Sequence, residues 1–211
     1  MNKAKLDASA ATLVPAWKRV DELADLVDIF EPSVQVCSWR RDIDPAIGNY
    51  LAGLQQTPLQ SIETLATTDS PGLASLPADD GRSALIEDLS HLKEIISELL
   101  GCTAVGMRFA RVGHAMCPGW HVDQTGIRLV CTYLGPGTQW LESQNTHRSN
   151  LHLKNLESEP FVEASVGEIV LLKGSLWQEN EGFGAVHRSP EITSNNSLRT
   201  LVTLDPLWHE G

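Results

Sequence analysis

With 211 residues, 42% of them hydrophobic, the chain is long enough to bury a real core in one or at most two domains. Its 27 acidic residues outnumber 16 basic ones, for a formal net charge of −11, which repels phosphate backbones and anionic membranes and sets nucleic acid aside as a bulk partner. No apolar run approaches the ~18 residues of a membrane span, and the first residues lack a continuous hydrophobic stretch of the kind that directs export, so the expectation is a cytoplasmic protein without a membrane partner. Residues 1–15 are small and polar and read as a frayed end. Trp17, Val20, Leu23, Val27 and Phe30 recur at helical spacing, which predicts a helix over 16–31 that Pro32 ends. Val34 to Trp39 alternates as a strand. Asp44-Pro45 is a helix start, an N-cap followed by proline at N1, with Ile47, Tyr50, Leu51 and Leu54 as its buried stripe. A loose stretch with turn chemistry covers 57–81, and Leu85, Leu89, Leu92, Ile96 and Leu99 then trace a long amphipathic helix stopped by Gly101.

Beyond Gly101 the texture changes to short strand-like runs punctuated by turn residues. They cover 105–112, 127–134, 139–141, 161–164, 168–173, 185–188 and 198–204. That pattern predicts an α+β protein: residues 101–211 as a double-stranded β-helix, or jelly roll, and residues 1–100 as a buttress of helices with one or two strands, in one compact unit. Cys37, Cys102, Cys117 and Cys131 are scattered without a Cys-x-x-Cys and read as reduced thiols, mostly buried. The oligomeric state is left open.

The chemistry gathers around Trp120-His121-Val122-Asp123 and, 66 residues after His121, around His187. Residues i and i+2 of an extended segment point to one side, so His121 and Asp123 can grip one ion, and a neighbouring strand must bring the third ligand, His187. Two imidazoles and a carboxylate suit Fe(II) and leave coordination positions open. A bland reading makes the three unrelated residues at strand ends. Another set, His114-x-x-Cys117-x-x-x-His121, joins a thiol to imidazoles and would suit zinc instead. Gln124 and Thr125 are candidates for orienting the imidazoles, Trp120 and Trp140 either fill the core or cap the mouth, and the polar stretch 145–152 reads as a loop or lid.

These residues resemble the Fe(II)- and 2-oxoglutarate-dependent oxygenases, closest in pattern to the prolyl hydroxylase branch. The resemblance places His121, Asp123 and His187 as the metal and catalytic residues. It also places Arg199, 12 residues after His187, as the clamp on the far carboxylate of 2-oxoglutarate, and it puts Arg128 and Tyr133 at co-substrate positions. Its implied partner is a small molecule or a protein side chain. Two departures stand out: Leu201 replaces a small hydroxyl residue two positions after the final arginine, and Arg188 follows the distal histidine, where it could compete with Arg199. The string from His121 to Leu141, with His187-Arg188-Ser189-Pro190, is closer still to the family called domain of unknown function 1826, over most of the chain. That likeness carries a link to zinc-limitation responses and no reaction, so a non-catalytic, zinc-handling jelly roll stands as the alternative.

Overall fold

The computed structural model describes residues 16–54, 62–65, 76–143, 151–152, 155–193 and 198–208. Its strands are β1 (Trp17–Val20), β2 (Val36–Trp39), β3 (Ile62–Leu65), β4 (Ala104–Val112), β5 (Ile127–Leu134), β6 (Gln139–Leu141), β7 (Phe161–Glu163), β8 (Ile169–Lys173), β9 (His187–Arg188) and β10 (Arg199–Leu207). A 3-10 helix (Leu23–Phe30) and two α-helices, α1 (Pro45–Gly53) and α2 (Asp80–Leu100), accompany them. One sheet has seven strands in the order β1-β2-β8-β5-β10-β4-β3, and a second has three in the order β7-β6-β9. The result is a mixed α+β chain with a sheet-rich core.

Side-chain alternation sorts each central strand between two cores. Along β5, Ile127, Leu129, Cys131 and Tyr133 pack under the helices with Leu51 of α1 and Leu85, Leu92 and Ile96 of α2. Val130 faces the other way, into a smaller core with Val170, Leu172, Leu201 and Trp140 of the three-stranded sheet. The larger core supplies most of the cohesion, since each fully buried aliphatic side chain contributes about 1.5–3 kcal/mol. The second face of the large sheet carries that smaller core and, beside it, an open cavity.

α1 begins as expected, Asp44 accepting from the Ala46 amide at 2.8 Å. α2 ends at Gly101, whose φ of 61° is the left-handed cap that glycine takes without strain. The predicted helix over 16–31 is corrected. Trp17–Val20 is a strand parallel to β2, and only Leu23–Phe30 is helical, as 3-10. Leu26 and Ile29 are its buried residues while Val27 and Phe30 are exposed, so the stripe repeats every three residues, as a 3-10 helix requires. Part of the loose stretch is also ordered: β3 pairs antiparallel with β4, Ile62 opposite Phe109. The described residues of the first hundred thus give three strands, at both edges of the large sheet, and the sheet runs across Gly101.

Candidate metal centre

His121 is not part of a long strand. It forms a single antiparallel bridge with His187, each backbone amide donating to the other's carbonyl at 3.0 Å. Directly opposed residues hold their side chains on the same face, and the two imidazole centroids stand 4.4 Å apart. Asp123 follows in an irregular segment whose carbonyl accepts from the Ser175 amide at 2.9 Å. Gly184, just before β9, has a φ of 143°, and a Cβ there would lie 2.3 Å from Val122 Cγ1. Only glycine lets that chain run so close to the residue between His121 and Asp123.

The described residues contain one group of donors able to hold an ion, formed by His121, Asp123 and His187 with one ligand atom each within 4.8 Å of the others. Asp123 Oδ1 is 3.5 Å from His121 Nε2, and its Oδ2 is 3.6 Å from His187 Nε2. Each Nδ1 lies 2.9 Å from a backbone carbonyl, that of Gly119 for His121 and that of Ala185 for His187. A carbonyl only accepts, so Nδ1 carries the proton and the Nε2 lone pairs converge on the carboxylate. The expected orienting roles of Gln124 and Thr125 fall instead to these carbonyls. Burial pushes the His187 imidazole down to about 4, so it stays neutral, as a ligand must be. The Asp123 carboxylate raises His121. Burial alone would lift the Asp123 carboxyl, but His121, His187 and Arg128 outweigh it and hold the group well below the usual carboxylate range.

A cavity of about 980 Å³ opens over these three residues and runs along the inner face of β10, lined by Arg199, Leu201, Thr203 and Asp205. Arg199 is 2% exposed. Its Nη2 donates to Thr138 Oγ1 at 2.8 Å and Thr132 Oγ1 at 3.2 Å, while its Nε lies buried without a partner. Burial pushes this guanidinium down to about 10. No carboxylate pairs with it among the described residues. It is a buried cation with no carboxylate at ion-pair distance, and Glu163 raises it only from further away.

The other expected residues are placed differently. Arg128 reaches the cavity, but its guanidinium is already held, by Asp123 Oδ2 at 2.5 Å and by Asp205 at 2.8 and 2.9 Å. Tyr133 is not brought to the cavity. It sits on the opposite face of β5, and its hydroxyl donates to Asp88 Oδ2 of α2 at 2.5 Å. Arg188 also lines the cavity, but its guanidinium is engaged elsewhere, donating to Gln139 at 2.8 Å and Glu157 at 2.7 Å and lying 4.2 Å from the Trp120 ring centroid. It therefore does not compete with Arg199. Trp140 is fully buried between the sheets, its ring 5.8 Å from that of Trp17. His114 and exposed Cys117 line the cavity without joining the donor group. Of the predicted lid, 145–150 lies outside the described residues. Asp205, Thr132 and Thr138 were missed by sequence reasoning. Alternation would have found Asp205, three pairs of residues along β10 from Arg199 on the same face.

No curated protein sequence matches the chain. Among solved structures, a rice dioxygenase for auxin oxidation is similar with a TM-score of 0.53 at 13% identity, over 88% of this chain and 77% of that one. The Arabidopsis thaliana dioxygenase for auxin oxidation 1, solved as a complex with 2-oxoglutarate, has a TM-score of 0.53 at 9% identity, covering 93% and 94%. A Shewanella oneidensis structure called a putative oxygenase gives 0.53 at 11%, covering 92% and 90%. At such identities the likeness shows the fold alone. A family model described as "Protein of unknown function (DUF1826)" matches residues 20–205, and the chain belongs to that family.

Proposed function

We propose that this chain is a mononuclear non-heme Fe(II)- and 2-oxoglutarate-dependent oxygenase built on a double-stranded β-helix. The observation that carries the reading is the pairing of two features in one cavity: the converging donors of His121, Asp123 and His187, and the buried guanidinium of Arg199, which has no ion-pair partner among the described residues. Two imidazoles and a carboxylate fit Fe(II) as residues, and they leave open positions. When bound, that ion supplies the redox chemistry that couples oxygen to oxidation of the 2-oxo acid and the substrate.

The chain's own part is positioning. Arg199, oriented by the Thr132 and Thr138 hydroxyls, clamps the far carboxylate of the oxo acid, whose charge satisfies the guanidinium. The cavity lies near the upper end of small-molecule pockets, roughly 300–1,000 Å³, which leaves space beside the oxo acid for a small molecule or a protein side chain as substrate. The likeness to a protein solved with 2-oxoglutarate supports the same reading.

Anaerobic protein loaded with Fe(II) is expected to develop a visible charge-transfer band on adding 2-oxoglutarate, and to consume it slowly in air without substrate. His187→Ala is expected to abolish both. A wild-type protein that binds Fe(II) but shows neither band nor turnover sinks the proposal. The zinc-handling alternative draws on Cys117 and His114 at the cavity wall. It requires Zn(II) to bind more tightly than Fe(II) and the Cys117→Ser variant to lose that preference, both measurable by metal analysis after competition.

A further inference from the structure

Asp123 is the one donor of the metal face without a backbone ladder of its own, since it lies between the His121 bridge and the start of β5. Something else must aim its carboxylate. Arg128 does so from the centre of the large sheet. Its Nη1 donates to Asp123 Oδ2 at 2.5 Å. Its other edge, Nε and Nη2, forks onto Asp205 Oδ1 and Oδ2 at 2.8 and 2.9 Å. The β5–β10 register, Leu129 opposite Leu204, makes Arg128 and Asp205 the next cross-strand neighbours, both on the cavity face. The three side chains are sheltered, with 17%, 25% and 33% of Asp123, Arg128 and Asp205 exposed. A forked guanidinium–carboxylate pair is directional, unlike a point charge.

We propose that Arg128, seated by Asp205, is a positioning residue that holds one oxygen of Asp123 so that the carboxylate offers only the other to the ion. The Nη1 hydrogen bond to Oδ2 fixes the carboxylate plane and works against Asp123 turning to grip the ion with both oxygens. Its single-oxygen contribution preserves the open positions that a co-substrate and oxygen both need. Asp205 never touches the ion, and its task is to keep the guanidinium plane from rotating. Strand-borne groups aim a ligand more accurately than a loop does, which is why this brace spans β5 and β10. The inference rests on the metal-face reading above.

The test titrates Co(II), an Fe(II) substitute with a visible spectrum, anaerobically into wild-type protein and the Asp205→Asn, Arg128→Lys and Arg128→Gln variants. Losing a group that orients a metal ligand typically weakens affinity about 10- to 100-fold. All three variants are expected to fall in that range, with an altered spectrum at saturation and a metal-free melting temperature near that of wild type. Arg128→Lys is expected to fail as a rescue because an ammonium cannot fork. Affinities within about twofold of wild type in Asp205→Asn and Arg128→Lys overturn the proposal. So does weakened binding with an unchanged saturated spectrum, which marks an ordinary structural ion pair. Wild-type protein that takes up no Co(II) refutes the metal face itself, a different failure from variants that bind like wild type.

Discussion

Arg199 shows what a single buried residue contributes before any ligand arrives. Its guanidinium is desolvated and hydrogen-bonds two hydroxyls, with the Glu163 carboxylate acting only at longer range, so the protein bears an electrostatic cost there. Arg199→Met is therefore expected to raise the melting temperature of the ligand-free protein, by roughly 2–4 °C for each kcal/mol relieved. The same variant should lose the thermal shift that 2-oxoglutarate gives wild type. A lower melting temperature in Arg199→Met, by scanning calorimetry, contradicts the uncompensated-charge account. Tyr133 makes the opposite case. Its hydroxyl serves Asp88, which Arg41 also holds, so Tyr133→Phe is expected to cost about 1 kcal/mol in urea unfolding. The KM for 2-oxoglutarate should stay at the wild-type value. Period two made this legible in advance: positions 128 and 133 of one strand have opposite parity, so Arg128 and Tyr133 could not share a cavity. The resemblance to oxygenases had assigned both to one site.

Elements were legible where their periods were unambiguous. α2 and the strands from 104 to 134 follow directly from their spacing. The stretch from Trp17 to Phe30 failed because its apolar residues satisfy a helical period even though the chain changes conformation at Asp21 and Glu22. The burial of Leu26 and Ile29 reveals the period of three. β3 escaped because a four-residue edge strand leaves almost no pattern to read, and its pairing with β4 is a matter of tertiary context. The His121 and Asp123 donors were legible as a motif but not as geometry, since the extended segment around His121 is held by a single bridge. That bridge depends on the close passage at Gly184. Gly184→Ala forces a side chain into Val122 at a φ that alanine rarely adopts, so it is expected to destabilise the protein by about 1–3 kcal/mol and to weaken Co(II) binding. Unfolding and titration on the same sample check both, and unchanged stability would falsify the role given to this glycine.

At the scale of the molecule, the larger core sets how stability responds to alkali. Burial pushes the Cys37 and Cys131 thiols up to about 12 from 9.0, while burial pulls Lys173 down to about 8 from 10.5. Between pH 8 and 9 the unfolded chain keeps a lysine proton that the folded one sheds, so stability rises with pH. Above pH 9 the unfolded chain loses thiol protons that the folded state retains, and two thiols overtake one amine, so stability falls. Urea unfolding at pH 8, 9 and 10 is expected to trace this maximum. Lys173→Met should remove the rise, and Cys131→Ala should soften the fall. Net charge, by contrast, described only the exterior. The −11 of the whole chain gave no sign that its cavity holds a buried arginine.

The reciprocal amide bonds between His121 and His187 have one more consequence. Two stretches 66 residues apart are stapled by main chain, so neither imidazole waits on a guest to find the other. A donor set fixed in this way predicts that treating the protein with a chelator leaves its circular dichroism unaltered.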